Sequence, residues 1–176
     1  MNITIQKATL YDILTTADKV EAYVSSKKAI TGLTEPYLSY FYSSEKKNSL
    51  KERFVNLKEV IDLEDEFFYI AISDGQIVGF ACGGPTIDNY DFDSEIYLLF
   101  TFIEDLNFQV RDLLFDKLVE SFKILNSKNM HVEIAKDDLN KSFYIRKGGQ
   151  FITEITNMTR PPYTTIDFGW TDIKAS

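Results

Sequence analysis

The sequence contains only one cysteine and one histidine among its 176 residues. A disulfide within the chain and a cysteine-based zinc site both need more than one thiol, so Cys82 alone excludes both. A single histidine, His131, argues against a histidine-rich metal site in the same way. We therefore expect a protein that carries no resident metal.

Basic residues are outnumbered, and long apolar runs are missing. The chain has 19 Lys and Arg against 27 Asp and Glu, a net charge of −8. Phosphate neutralisation needs clustered cations, so this balance argues against a nucleic-acid partner. No basic region leads into an apolar segment at the N-terminus, and no run of about 20 apolar residues could span a bilayer. These absences predict a cytoplasmic protein without a membrane partner.

The chain does contain enough apolar side chain for one domain. Hydrophobic residues make up 44% of it, and its length falls within the usual range of roughly 100–200 residues per domain. Repeats, linkers and low-complexity segments are missing from the sequence. We expect a single compact unit over residues 1–176.

The stretch from residue 95 to residue 125 organises the rest. Residues 95–103 are rich in aromatic and β-branched side chains, which predicts a central strand covered on both faces. An acidic turn, Glu104-Asp105, leads into a helix with one apolar stripe, formed by Val110, Leu114, Phe115, Leu118, Val119 and Phe122. A strand that runs directly into a helix aims free backbone N–H groups at an anion beyond the strand's end.

The first third of the chain predicts a short strand at Ile3 to Ile5 and then helices. Thr9 and Asp12 form a capping box that opens a helix to about Ser26. Further helices are predicted to begin near Pro36 and at the capping box of residues 49–52. An aromatic cluster in this region is either core or one wall of a substrate cleft; its members are Tyr37, Tyr40, Phe41 and Tyr42.

Strands dominate after residue 66. Asp74-Gly75 separates the apolar runs 67–72 and 76–82, which predicts a tight hairpin. A strand at 130–134, a helix from Asp138 to Lys147 ended by Gly148, and two strands at 150–158 and 164–170 follow. This order predicts a mixed α/β (α+β) domain.

The same order, with short motifs in matching places, resembles the GNAT superfamily of acyl-CoA-dependent N-acetyltransferases over essentially the whole chain. The hairpin 74–85, the strand opening Ser94-Glu95-Ile96-Tyr97 and the stretch 142–149 (SFYIRKGG) carry the resemblance. The ending at residues 168–173 (FGWTDI) is similar to that of a bacterial subgroup. The resemblance implies the GNAT fold, a mixed sheet of about seven strands flanked by helices on both faces.

The resemblance also implies that acetyl-CoA is a co-substrate, bound where the central strand splays from its neighbour. It places the pantetheine amides near Phe100, Thr101 and Phe102. The pyrophosphate would rest on the helix N-terminus, where orphan N–H groups and the helix dipole favour negative charge. The residues that the resemblance assigns to this turn are Asn107, Phe108, Gln109, Val110 and Arg111.

The sequence departs from the family at this turn. The family has Gln or Arg, two residues, Gly, one residue, and Gly or Ala, and ungapped these fall on Leu106, Gln109 and Arg111. A glycine common in the subgroup falls on Asn107. Either these side chains block the diphosphate, so that ordinary acetyl-CoA binding is lost, or the loop has moved and Gln109 and Arg111 supply donors. A third interpretation makes Arg111 a solvated helix residue.

Two catalytic residues are implied by the resemblance. An alkyl amine with a pKa of about 10 must lose a proton before it attacks. The resemblance places the base that takes this proton at Glu95. The alternative interpretation of Glu95 is a strand-end charge in solvent. The departing thiolate needs a proton, and the resemblance places the tyrosine that donates it at Tyr144. The alternative interpretation of Tyr144 is a core aromatic. The implied function is acetyl transfer to a primary amine of a small molecule or peptide. The alternative is a catalytically degenerate binding or interaction module.

Other residues carry weaker expectations. His131 is structural or exposed, or it titrates near neutrality, and Cys82 is a small buried hydrophobe. The aspartates Asp137 and Asp138 stand where the family often has an asparagine. Acceptor choice is expected from residues 37–42, from the loop 86–94 and from the tail near Trp170. Aromatic residues near either end are compatible with a homodimer.

Overall fold

A seven-stranded sheet forms the centre of the computed structural model, which describes residues 2–9, 11–16, 18–19, 67–86, 91–102, 107–136, 141–158 and 163–174. The strands are β1 (Ile3–Lys7), β2 (Phe67–Ser73), β3 (Gln76–Pro85), β4 (Ser94–Thr101), β5 (Met130–Ala135), β6 (Gln150–Asn157) and β7 (Tyr163–Trp170). The helices are α1 (residues 11–16 and 18–19), α2 (Asn107–Ile124) and α3 (Lys141–Arg146).

The strands lie in the order β1-β2-β3-β4-β5-β7-β6. Every neighbouring pair is antiparallel except β4 and β5, which are parallel. A parallel pair needs a crossover connection, and α2 supplies it between these two strands. The mixed sheet confirms the predicted fold class.

Alternation along the strands sends apolar side chains to both faces of the sheet. In β2, Tyr69 and Ala71 join the larger core cluster against α2, whereas Phe68 and Ile70 join a smaller cluster with Ile13 of α1. The inner face of α2 is fully buried at the predicted stripe positions Val110, Leu114, Leu118 and Phe122. Helices therefore cover both faces of the sheet, as predicted.

Local signals in the sequence are confirmed where the structure describes them. The hairpin turn has φ of 50° at Asp74 and 76° at Gly75, a left-handed pair that suits the strand twist. The Thr9 N–H donates to Asp12 Oδ2 at 2.8 Å, and the Asp12 N–H donates to Thr9 Oγ1 at 3.3 Å, which completes the capping box. Gly148 follows α3 with φ of 85°.

Several predicted features lie outside the described residues. They are the helices predicted near Pro36 and at residues 49–52, the aromatic cluster of residues 37–42, the turn Glu104-Asp105 with Leu106, and the predicted helix start at Asp138 with its neighbour Asp137. Within the described part of the chain, none of the helices has the length and apolar character needed to cross a bilayer.

The buried stripe of α2 predicts a measurable difference between two leucines of the same helix. Leu114 is fully buried, while Leu113 is exposed. We expect Leu114→Ala to lower the free energy of unfolding by about 2–5 kcal/mol, because it removes buried methyl groups and leaves a cavity. Leu113→Ala should cost less than about 1 kcal/mol. Urea unfolding followed by circular dichroism checks this, and equal losses would contradict the assigned packing.

Candidate active site

The parallel strands β4 and β5 are joined at only two positions. Ser94 pairs with Met130 and Glu95 pairs with His131. Beyond these pairs, β4 continues along β3 and β5 continues along β7. The two strands therefore diverge after Glu95, and a gap opens between them in the centre of the sheet.

A β-bulge in β4 lies where the divergence begins. Cys82 of β3 is opposite Leu98, and Gly83 is opposite Ile96, so Tyr97 is an extra residue on β4. Ile96 and Leu98 consequently belong to core clusters on opposite faces of the sheet, although residues two apart in a regular strand share a face. A bulge bends and twists its strand, which accounts for β4 leaving β5 at this point.

Glu95 lies at the apex of the gap rather than in solvent. Its side chain is 19% exposed, and its Oε2 is 3.6 Å from His131 Nε2. The interpretation of Glu95 as a solvated strand-end charge is therefore wrong. Its role as a catalytic base stays a prediction.

His131 is 4% exposed and lies within a polar cluster formed by three strands and a loop. Its Nδ1 is 3.0 Å from Asp167 Oδ1 on β7, and its Nε2 is 3.0 Å from Thr86 Oγ1, which follows β3. Sequence reasoning missed Asp167 and Thr86. The one available signal was an acid between two apolar residues, Ile166 and Phe168.

The charge of His131 follows from this setting. Burial lowers the pKa of His131, but the hydrogen bond to Asp167 and the negative charges of Glu95 and Asp167 outweigh it and raise the pKa to about 9. The ring is therefore an imidazolium at neutral pH, and the expectation that it titrates near neutrality is wrong. Among the described residues, no three His, Cys, Asp or Glu side chains are arranged to hold a metal ion.

Arg111 is buried at the other end of the gap. It is 6% exposed, its Nη2 donates to Thr101 Oγ1 at 3.2 Å, and its guanidinium lies 5.4 Å from the centre of the Phe143 ring. The interpretation of Arg111 as a solvated helix residue is therefore wrong. Phe100 and Phe102, also assigned to acetyl-CoA, pack their rings on Phe80 on the opposite face.

The residues assigned to the diphosphate turn lie in the first turns of α2, which begins at Asn107. Phe108 and Gln109 are exposed, whereas Val110 belongs to the core. A second cation, Arg146 of α3, lies 5.1 Å from the Phe108 ring and 5.6 Å from the Phe143 ring. Arg146 also pairs with Asp112 of α2, with Nη2 3.4 Å from Oδ1. The two guanidinium groups lie beside the helix N-terminus, and their chemistry suits an anionic diphosphate.

Tyr144 lies 3% exposed in the core. Its ring stacks on Phe168 at 6.4 Å between centroids and meets Trp170 edge-on at the same distance. The ring of Tyr144 is therefore a core aromatic. The role of its hydroxyl as the acid that protonates the thiolate stays a prediction. Trp170 is buried and donates from Nε1 to the Lys147 carbonyl at 2.8 Å. Acceptor choice by the tail near Trp170 stays a prediction. Cys82 is fully buried, as predicted.

Solved acetyltransferase structures share this architecture along nearly the full chain. An N-acetyltransferase from Staphylococcus aureus Mu50 has a TM-score of 0.69 at 16% identity, covering 99% of this chain and 100% of that one. A GNAT-family acetyltransferase from the same organism gives 0.66 at 14%, covering 98% and 100%. PaiA N-acetyltransferase from Thermoplasma acidophilum, solved with coenzyme A, gives 0.63 at 17%, covering 97% and 100%.

At the level of sequence, no protein-family profile and no curated protein matches the chain. The structural likeness shows that the chain has the fold of the GNAT acetyltransferases.

The imidazolium of His131 predicts a specific pH dependence of stability. Its pKa is about 9 in the folded protein and about 6.5 in an unfolded chain. The stabilisation is therefore complete below about pH 6.5 and is lost as the pH rises through 9, by roughly 3 kcal/mol. Urea unfolding between pH 6 and pH 9.5 should show this decline in wild type and a smaller one in Asp167→Asn.

The exposed residue Asp172 offers a matched control, and Asp172→Asn should keep the wild-type slope. Identical slopes for wild type and Asp167→Asn would show that Asp167 does not hold the proton on the ring.

Proposed function

We propose that this protein is an N-acetyltransferase that moves an acetyl group from acetyl-CoA to a primary amine of a small molecule or peptide. The observation that carries the proposal is the position of Glu95, a carboxylate held at the point where β4 and β5 diverge. The fold of the acetyltransferases supports it. The amine attacks directly, with both substrates bound.

The gap between β4 and β5 is the proposed site of the acyl-carrying arm. The amides of pantetheine are suited to the backbone of a strand edge, because both present N–H and C=O groups. Arg111, Arg146 and the first turn of α2 would hold the diphosphate, since cations and orphan N–H groups favour its charge. The coenzyme A bound to PaiA supports an acyl-CoA as the donor substrate.

Glu95 is the proposed base. It takes a proton from the ammonium form of the acceptor, directly or through one water, so that the nitrogen has a lone pair to donate. A bond then forms between that nitrogen and the thioester carbonyl carbon, and the carbon–sulfur bond breaks. The proton needed by the departing thiolate comes from the Tyr144 hydroxyl. The second proton that the nitrogen loses as the amide forms returns to Tyr144 through water, and Glu95 releases the first proton to solvent. The products are an N-acetylated amine and coenzyme A.

The position of Arg111 favours a second candidate function. A buried guanidinium stands where the family has a glycine or alanine, and it occupies space between Thr101 of β4 and Phe143 of α3. If this side chain obstructs acetyl-CoA, the protein is a binding or interaction module that keeps the scaffold. The two functions predict opposite effects of removing the side chain.

Acetyl transfer is tested by release of coenzyme A from acetyl-CoA with a panel of small primary amines and peptide N-termini. We expect turnover by wild type and a fall in kcat of roughly 10²–10⁴-fold in Glu95→Gln, because the amide cannot accept the proton. Glu154→Gln, a carboxylate on the edge strand β6, is the matched control and should keep wild-type kcat. Absence of turnover with every amine of the panel would contradict the proposal.

Calorimetric titration with acetyl-CoA tests the role of Arg111. If the guanidinium donates to the diphosphate, Arg111→Ala should weaken binding about 10–100-fold, the range expected for a hydrogen bond to a charged group. Lys123→Ala in the last turn of α2 should leave the Kd unchanged. Tighter binding by Arg111→Ala would mean that the side chain obstructs the ligand, and would favour the interaction module.

A further inference from the structure

We propose that His131 is a positioning residue which, held by Asp167 and Thr86, places its imidazole ring against Glu95 and orients that carboxylate at the apex of the gap. The inference rests on the proposed function, because it assigns His131 a role in presenting the base for acetyl transfer. It concerns the last pair of residues before β4 and β5 separate, Glu95 and His131.

The imidazole ring is held from several sides. Its Nδ1–H donates to Asp167 Oδ1 at 3.0 Å, and the two side chains are 6% and 8% exposed. The Phe92 ring covers the imidazole at 5.2 Å between centroids. Gly169, opposite His131 in the register of β5 and β7, leaves room for this cover, because a Cβ there would come within 2.7 Å of the Phe92 ring.

The charged groups around the ring leave the cluster with net negative charge. Glu95 faces the ring from β4 and Asp167 from β7, while Thr86 contributes only a hydroxyl after β3. Glu133, two residues further along β5 and opposite Asp167, is a further carboxylate on the ring's own strand. The negative charges of the carboxylates therefore outnumber the single positive charge of the imidazolium. This net negative charge suits the approach of a cationic amine to Glu95.

The ring's contacts also resemble a hydroxyl–imidazole–carboxylate triad, with Thr86 in the place of the nucleophile. In such a triad the imidazole must be neutral to take the hydroxyl's proton. Here Asp167 and Glu95 flank the ring and raise the pKa of His131 to about 9, which favours the doubly protonated ring at neutral pH. The Thr86 oxygen then accepts the Nε2–H. The ring acts on Glu95 through its charge at 3.6 Å, which favours orientation of Glu95 over covalent catalysis.

The contact is tested by an NMR pH titration of the imidazole. His131 is the only histidine in the chain, so its ring signals need no assignment. The midpoint is expected at about pH 9 in wild type and lower by roughly one pH unit or more in Glu95→Gln and in Asp167→Asn, since each loses a charged partner. Glu154→Gln should titrate as wild type. A midpoint unchanged by Glu95→Gln would overturn the proposal.

The positioning role is tested by kinetics in the same assay. His131→Ala should lower kcat about 10–100-fold while the KM for acetyl-CoA stays within about twofold, because the lost interaction orients the base and does not bind the donor. His131→Gln retains an N–H donor and should recover part of the loss. Wild-type kcat in His131→Ala, or an effect on the KM for acetyl-CoA alone, would overturn the role.

Failure of this inference and failure of the proposed function give different experimental results. If wild type transfers acetyl groups and the histidine variants behave as wild type, only the role of His131 is overturned. If wild type transfers no acetyl group, the role falls with the function, and the titration still reports whether the ring pairs with Glu95. Complete loss of activity in Thr86→Val with an acyl-enzyme detected by mass spectrometry in wild type would replace positioning by covalent catalysis.

Discussion

The short ladder between β4 and β5 is the constraint on which the rest of the structure depends. Two parallel strands joined by a helical crossover would ordinarily pair along their length, but here pairing stops after Glu95 and His131. The bulge at Tyr97 bends β4 away, and the long antiparallel ladders with β3 and β7 hold the separated strands in place. A gap between β4 and β5 is thereby built into the sheet itself.

The two ends of this gap carry opposite charge. Carboxylates and one imidazolium lie at the apex, and the guanidinium of Arg111 lies beside Thr101, six residues further along β4. Along a strand this separation is about 20 Å. In a chain with a net charge of −8, a buried cation at that place is costly to desolvate unless it is compensated. The arrangement suits a long substrate that is anionic at one end and meets a cationic amine at the other.

Much of the fold could be predicted from local sequence, because the two periods that mark helices and strands are local properties. The buried stripe of α2 and the turn at Asp74-Gly75 followed directly from them. The polar cluster did not, since Asp167 reaches His131 only through the register of β5 with β7, which joins residues 36 apart in sequence. Arg111 is intermediate, because its spacing from Leu114 and Leu118 places it on the buried stripe, yet its charge favoured solvent.

The claim that the gap between β4 and β5 receives acetyl-CoA is tested most directly by backbone hydrogen exchange with and without millimolar acetyl-CoA. We expect slower exchange in residues 96–101 of β4 and 107–111 of α2, where the strand edge and the helix N-terminus would contact the ligand. Residues 150–156 of the edge strand β6, on the far side of β7, should be unaffected. Unchanged exchange in β4 and α2, or a change confined to β6, would contradict the account.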